Sequence, residues 1–370
     1  MTLSIVRQAA VRQVLVDEAG EGQRLDNFLL RHLKGVPKTH VYRVIRSGEV
    51  RVNKARAQAD TRLELGDTVR IPPVRTSLDS FSGGHAAEGL AVPAREFPVL
   101  YEDEAVLAID KPAGVAVHGG SGVAHGVIEQ LRRARPGARF LELVHRLDKE
   151  TSGILLLAKK RSALVHLQDQ FRRAAGHLGV HKVYAALVWG RWPARHKVVD
   201  LPLHKTLDAA GERQVRVVQA DHPEGRRSIS LVTVTQTWPG VGPGSLDGLP
   251  LLNIASGAGP DGPGAPPVQP SVSLLDVTLK TGRTHQIRVH LAHQGHAVVG
   301  DPKYGDFARN RHWARGPMRF GRMFLHARQI GFDHPVTGQR VTLDSPLPPE
   351  CATLLSLLSA PDPSHDLPSP

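Results

Sequence analysis

From Leu25 onward the apolar positions follow a helical period. Leu25, Phe28, Leu29 and Leu33 share one face, and Val41, Val44 and Ile45 form a second stripe with Arg43 and Arg46 turned away from it. Two short amphipathic helices are predicted. The period then changes to two, with Val50 and Val52 alternating with Arg51 and Asn53, and Val69 and Ile71 flanking Arg70, the pair closed by Gly66-Asp67 and stopped by Pro72-Pro73. These elements define a small module over residues 20–75, behind a lead (1–19) whose alternating apolar positions suggest a short strand. Residues 76–97 mix Ser, Gly, Ala and His without a period and read as a linker.

A larger domain is expected over 98–350. Apolar runs at 105–109, 154–158, 183–189, 215–218, 229–237, 272–281, 324–332 and 341–343 read as strands, Leu164, Leu167 and Phe171 mark a helix, and a further helical stretch follows the Gly119–Gly122 loop. Short strands outnumber helices and few βαβ alternations occur. The predicted class is therefore α+β, with a mixed, largely antiparallel sheet in the large domain and a small α/β module before it. Residues 239–270, crowded with Gly, Pro and Ala, read as an insertion loop, and 351–370, Pro- and Ser-rich from about 359, as a C-terminal tail.

The pattern centres on Val144–Gly153, a polar corner between two apolar runs that are expected to be buried strands. It presents one carboxylate, Asp148, between Arg146 and Lys149. On the residues alone, a plain turn fits equally well, with Asp148, Thr151 and Ser152 bonding local backbone and Gly153 supplying a permissive dihedral.

Charge adds a partner to this picture. The 370 residues carry a formal net charge of +12, and within 31–56 eight Lys or Arg positions face one acid, Glu49. A solvated helix surface usually interleaves both signs, so this is a basic face suited to a polyanion, with nucleic acid the leading candidate. The single cysteine, Cys351, leaves no intramolecular disulfide and no Cys-rich zinc site, which points to a reducing compartment. No apolar run approaches a membrane span and the first twenty residues lack a leader's apolar core, so a cytoplasmic chain is expected. His290, His293 and His296 recur every three residues, which is not the spacing of a helical zinc pair; structural or RNA-facing roles come first. The Gly119–Gly122 loop lacks the Gly-Lys-Ser/Thr spacing of a nucleotide site, and no cofactor is expected.

His145-Arg146-Leu147-Asp148, followed by a charged pair and Thr151-Ser152-Gly153, resembles the catalytic motif of the RluA-type pseudouridine synthases. Lys182–Ala185, Gly282–His290 and Gly300–Gly305 recur in the family's order, and residues 20–75 resemble an S4 RNA-binding domain. The resemblance implies an isomerase that needs no cofactor and acts on uridines of large-subunit (23S) ribosomal RNA; no membrane partner is expected, and a monomer is the expected state. It implies Asp148 as the catalytic carboxylate, Arg288 as the basic residue paired with it, and Tyr184 as the active-site tyrosine that stacks on uracil. Arg146 then fills the place vacated by the flipped base, and Lys38, Arg43 and Arg46 contact RNA. By periodicity alone, Tyr184 is a core aromatic and Arg288 a surface arginine on a helix with Ile287 and Leu291. Two departures from the family pattern are the 239–270 insertion and Ser230, where a Thr is usual. A reading from another class is a non-catalytic RNA-binding or ribosome-assembly protein using the basic module alone; a histidine-metal hydrolase is a third.

Overall fold

The computed structural model describes residues 11–17, 20–33, 36–74, 92–119, 125–173, 179–207, 213–238, 271–316 and 318–359. The 239–270 insertion, most of the lead and linker, Gly120–Gly122 and the chain after 359 lie outside them. The chain divides into two compact units, the first running to Pro93 and the second taking up nearly all of the rest.

The first unit holds β1 (Arg12–Leu15), α1 (Leu25–His32), α2 (Lys38–Arg46), β2 (Arg51–Val52), β3 (Ala55–Arg56) and β4 (Thr68–Ile71). Its sheet has the order β1-β4-β2-β3. The predicted stripes are its core: Leu25, Phe28 and Leu29 of α1 and Val41, Val44 and Ile45 of α2 pack with Val52, Val69 and Ile71. Burying those faces turns the polar side of α2 outward.

The second unit contains β5 (Val99–Glu102), β6 (Val106–Lys111), α3 (Val127–Ala134), β7 (Glu142–Leu143), β8 (Ser152–Ala158), α4 (Arg161–Arg172) and β9 (His181–Trp189). It continues with β10 (Val198–Asp200), β11 (Leu203–Leu207), β12 (Arg213–Val217), β13 (Ile229–Trp238), β14 (Val272–Leu279) and α5 (Gln286–His293). It ends with α6 (Phe307–Arg315), β15 (Leu325–Asp333), β16 (Arg340–Asp344) and α7 (Pro349–Ser359). Among the described residues, ten strands make one sheet with the path β10-β13-β14-β9-β15-β8-β6-β5, β16 pairing with β15 and β7 with β8. Its pairings are antiparallel except β15 with β8. β9 is near the middle of this path, and Ala186 and Val188 join one apolar cluster while Leu187 and Trp189 join another. Burial on both faces explains why its sequence is a continuous apolar run.

Two expectations are corrected. The tail does not begin at 351, because α7 buries Cys351, Leu354 and Leu358 against Trp238, Phe324 and Trp313. The strand entering the polar corner is only β7, two half-buried residues, and the path from Val144 to Thr151 is irregular. β8 on the far side is buried throughout. At its start Gly153 has φ +108, and a Cβ there would collide with the carbonyl oxygen of Ala327 at the parallel junction with β15. Only glycine allows the two strands to meet beside the corner.

Candidate active site

Asp148 sits in the turn before β8, and the structure braces this turn from below. Lys111, the last residue of β6, is fully buried; its ammonium donates to the carbonyls of Pro112 and Val115 at 2.8 Å each and of Lys149 at 3.1 Å. Burial pushes its pKa down to about 7, and the three carbonyls satisfy its donors. On the other side, Arg322 donates to the Ser152 hydroxyl at 2.7 Å, and that hydroxyl lies 2.9 Å from Nδ1 of His326. Nε2 of His326 faces the carbonyl of Ser345 at 3.2 Å, so it carries the ring proton and Ser152 donates to Nδ1.

Arg288 comes from α5, whose first turn is locked by Gln286. The amide oxygen of Gln286 accepts from the Thr281 hydroxyl and from the backbone of Arg283 at 2.8 and 3.0 Å, and its nitrogen donates to the Ile229 carbonyl and Ser230 at 3.0 and 3.1 Å. Arg288 is therefore not a surface arginine; it is 5% exposed. Its Nη1 donates to Asp148 at 3.1 Å, while Nε and Nη2 form a two-bond fork with Asp301 at 2.7 and 2.8 Å. The guanidinium also lies over the Tyr304 ring, 5.1 Å from its centroid. Burial alone would lower its pKa, but Asp301 and Asp148 outweigh that and raise it. Asp301 in turn accepts from the backbone of Lys303 and Tyr304 at 2.8 and 3.0 Å, and its pKa stays lowered against burial because of Arg288.

His285 is the strained member of the group. It begins α5 in the left-handed region at φ 53, a conformation that a non-glycine residue adopts only under local constraint. Its Nδ1 is 2.8 Å from the Tyr304 hydroxyl, which also accepts from the Val215 backbone at 3.1 Å. Tyr304 thus donates to Nδ1, and Nε2, 3.8 Å from Asp148, bears the proton. Burial keeps the ring's pKa low despite the carboxylate.

Asp148, His285 and Arg288 line a cavity of about 230 Å³ that also takes in Arg146, Tyr184, Lys182 and Phe171. The structure thus brings Asp148, Arg146, Tyr184 and Arg288 to one place from three separate stretches of chain. Tyr184 lies on β9, and burial raises its phenol pKa further, with Asp148 adding to the effect. Arg146 is exposed at the rim. His145 stacks on Phe171 with centroids 4.8 Å apart, accepts from the Leu156 backbone at 3.1 Å, and is pushed by burial down to about 3, so it stays neutral.

Lys38, Arg43 and Arg46 belong to the first unit, where all three are exposed on α2. Two of the three histidines spaced by three have structural partners: His290 meets Ser230 at 3.0 Å and the Leu201 carbonyl at 3.2 Å, and His296 meets the Trp189 carbonyl at 2.9 Å. No group of three or more His, Cys, Asp or Glu that could hold a metal occurs among the described residues, and none of their helices is long and apolar enough to cross a membrane.

A family model described as RNA pseudouridylate synthase matches residues 105–293, and an S4 domain model matches 23–69. Ribosomal large subunit pseudouridine synthase C of Pasteurella multocida is 42% identical over 351 residues, 94% of each chain. The protein of that name from Escherichia coli K12 is 43% identical over 336 residues, 90% of this chain and 92% of its own. Among solved structures, human RNA pseudouridylate synthase domain containing 4 superposes with a TM-score of 0.50 at 23% identity, covering 70% of this chain and 92% of that one, a likeness of fold.

Proposed function

The chain belongs to the RNA pseudouridylate synthase family and is an isomerase, and on that premise we propose that it converts specific uridines of large-subunit (23S) ribosomal RNA to pseudouridine in the cytoplasm. Two relatives that it matches over nearly their whole length carry the name ribosomal large subunit pseudouridine synthase C. The observation that carries the reading is Asp148 facing the same cavity as Tyr184 while tied to Arg288 at 3.1 Å.

The reaction breaks the C1′–N1 bond, turns the free base and rejoins it through C5. A proton leaves C5, N1 gains one, and no electrons are exchanged. Positive charge develops at C1′ as the first bond breaks, and the Asp148 carboxylate beside that carbon offsets it. A glycoside hydrolase would need a second free carboxylate to activate water. Here the other acid, Asp301, is 0% exposed and fully engaged by Arg288 and two backbone amides, so it holds Arg288 while Asp148 works alone. Arg146, exposed at the rim, suits the position left in the RNA stack when the uridine is extruded.

The deciding experiment maps pseudouridine chemically in ribosomal RNA from cells lacking the protein and from their parent. Loss of one or a few large-subunit sites, restored by the purified protein on unmodified RNA, is expected. An unchanged map would overturn the proposal.

Tyr184 is a phenol held well above its usual pKa by burial, so its hydroxyl serves as a proton relay near C5 and not as a phenolate base. Tyr184→Phe keeps the ring and its stacking. Turnover should fall about a hundredfold with RNA affinity nearly unchanged, as read by single-turnover kinetics beside a binding isotherm. Turnover close to wild type would remove the hydroxyl from the mechanism.

The α2 face supplies affinity through phosphate contacts. In the full chain, replacing Lys38, Arg43 and Arg46 together by Ala should weaken RNA binding and lower the log–log salt slope by about 2, with single-turnover chemistry at saturating RNA preserved. Identical slopes for variant and wild type would show that these three residues do not meet phosphate.

A further inference from the structure

We propose that Lys182 is a further substrate-contacting residue, whose amine donates a hydrogen bond to a carbonyl oxygen of the extruded uracil. The inference rests on the function proposed above. Lys182 and Tyr184 are two residues apart on β9, so their side chains leave the same face of the sheet about 6.6 Å apart, and both line the cavity that holds Asp148. A base that contacts Tyr184 has its edge within reach of Lys182.

Among the described residues the amine has no acid to hold it. Its nitrogen lies 5.5 Å from the centroid of Phe171 and packs beside Gly282, where a Cβ would stand 3.6 Å away. No hydrogen bond or ion pair to the Lys182 amine occurs among the described residues. The neighbouring His145 is neutral and already accepts from Leu156. Burial lowers the Lys182 pKa with no opposing charge to restore it. The amine stands half-buried in the wall of the cavity with no partner from the protein, so an acceptor on the substrate can meet it without breaking an existing bond. Uracil carries two carbonyl oxygens, and a neutral acceptor suits an amine in either protonation state. An amine aimed at O4 also favours uracil over cytosine, whose amino group at that position is itself a donor.

The test uses the full-length protein on a stem-loop RNA carrying a uridine identified by the mapping experiment. That RNA is compared with versions bearing 2-thiouridine or 4-thiouridine at the target, sulfur being the weaker acceptor. Lys182→Met should lower kcat/KM on the unmodified RNA about thirtyfold, and Lys182→Arg, which keeps a donor, should recover part of the loss; thermal melts of both variants establish that they fold. One of the two thio substitutions should slow the wild type about tenfold yet slow Lys182→Met less than twofold, the non-additivity expected of a direct contact. If both thio effects persist undiminished in Lys182→Met, the proposal is overturned. A smaller salt slope in that variant would then assign the amine to a backbone phosphate. A wild type inactive on the unmodified stem-loop would instead overturn the reading of function on which the proposal rests.

Discussion

Asp148→Asn should reduce isomerisation about a thousandfold or more while leaving RNA affinity within a few-fold of wild type. The substitution keeps the size of the side chain and an oxygen able to accept from Arg288 Nη1, now 3.1 Å away. Arg288 is held independently by its fork with Asp301, and the turn itself is braced by Lys111 and Arg322. The structural consequence is therefore small. The chemical consequence is large, because an amide cannot offset the charge at C1′ and cannot bond to that carbon as a carboxylate can. Single-turnover assays on a stem-loop substrate, with binding measured on the same RNA, separate the two. Retention of more than a few per cent of wild-type turnover would show that another group carries the reaction.

The parts of this molecule that were legible in the sequence are those where one surface decides the pattern. Leu25, Phe28 and Leu29, then Val41, Val44 and Ile45, are buried by a single core and fall on the helical period they were read by. β9 was readable for the opposite reason, since burial on both faces leaves Ala185 to Trp189 uninterrupted by polar residues. Irregular backbone held by side chains escaped such reading. Lys111 follows the apolar run 105–109 with no pattern that marks it as buried, yet it is fully buried and supports the corner through three carbonyls. Arg288 looked like a surface cation because an arginine on a helix usually is one. Its burial depends on Asp301, thirteen residues away and beyond the end of α5, and no local period records that pairing. α7 was assigned to a tail because the Pro- and Ser-rich composition after 359 obscured Cys351, Leu354 and Leu358, three apolar positions on one helical face. Tyr304 and His285 stood inside recognised motifs, but their joint role came only from the Val215 amide that fixes their protons.

Asp301→Ala should be the most destabilising single change near the site. It leaves Arg288, whose side chain is 6% exposed, as a buried cation with Asp148 as its remaining carboxylate. It also frees the backbone amides of Lys303 and Tyr304. Breaking a buried pair by deleting one partner costs about 3–5 kcal/mol, which corresponds to a fall of about 10 °C in the melting temperature of the second unit. Asp301→Asn keeps the shape and one acceptor, so it should lose less stability and, on the proposed role of Asp148, still lose most turnover, because Arg288 would then be drawn toward Asp148 and disturb the orientation of that carboxylate. The pH dependence has a definite sign. The folded pKa of Asp301 lies below its ordinary 3.8, so the carboxylate's contribution is fully present above that value and is lost only as the pH falls through the lower folded one. The stability gap between wild type and Asp301→Asn should accordingly be flat from about pH 5 to 8 and close only in acid. Calorimetric melts of the three proteins across that range decide the matter. A gap that closes near neutrality, or an Asp301→Ala protein that melts with the wild type, would mean that Arg288 is held in place by something other than Asp301.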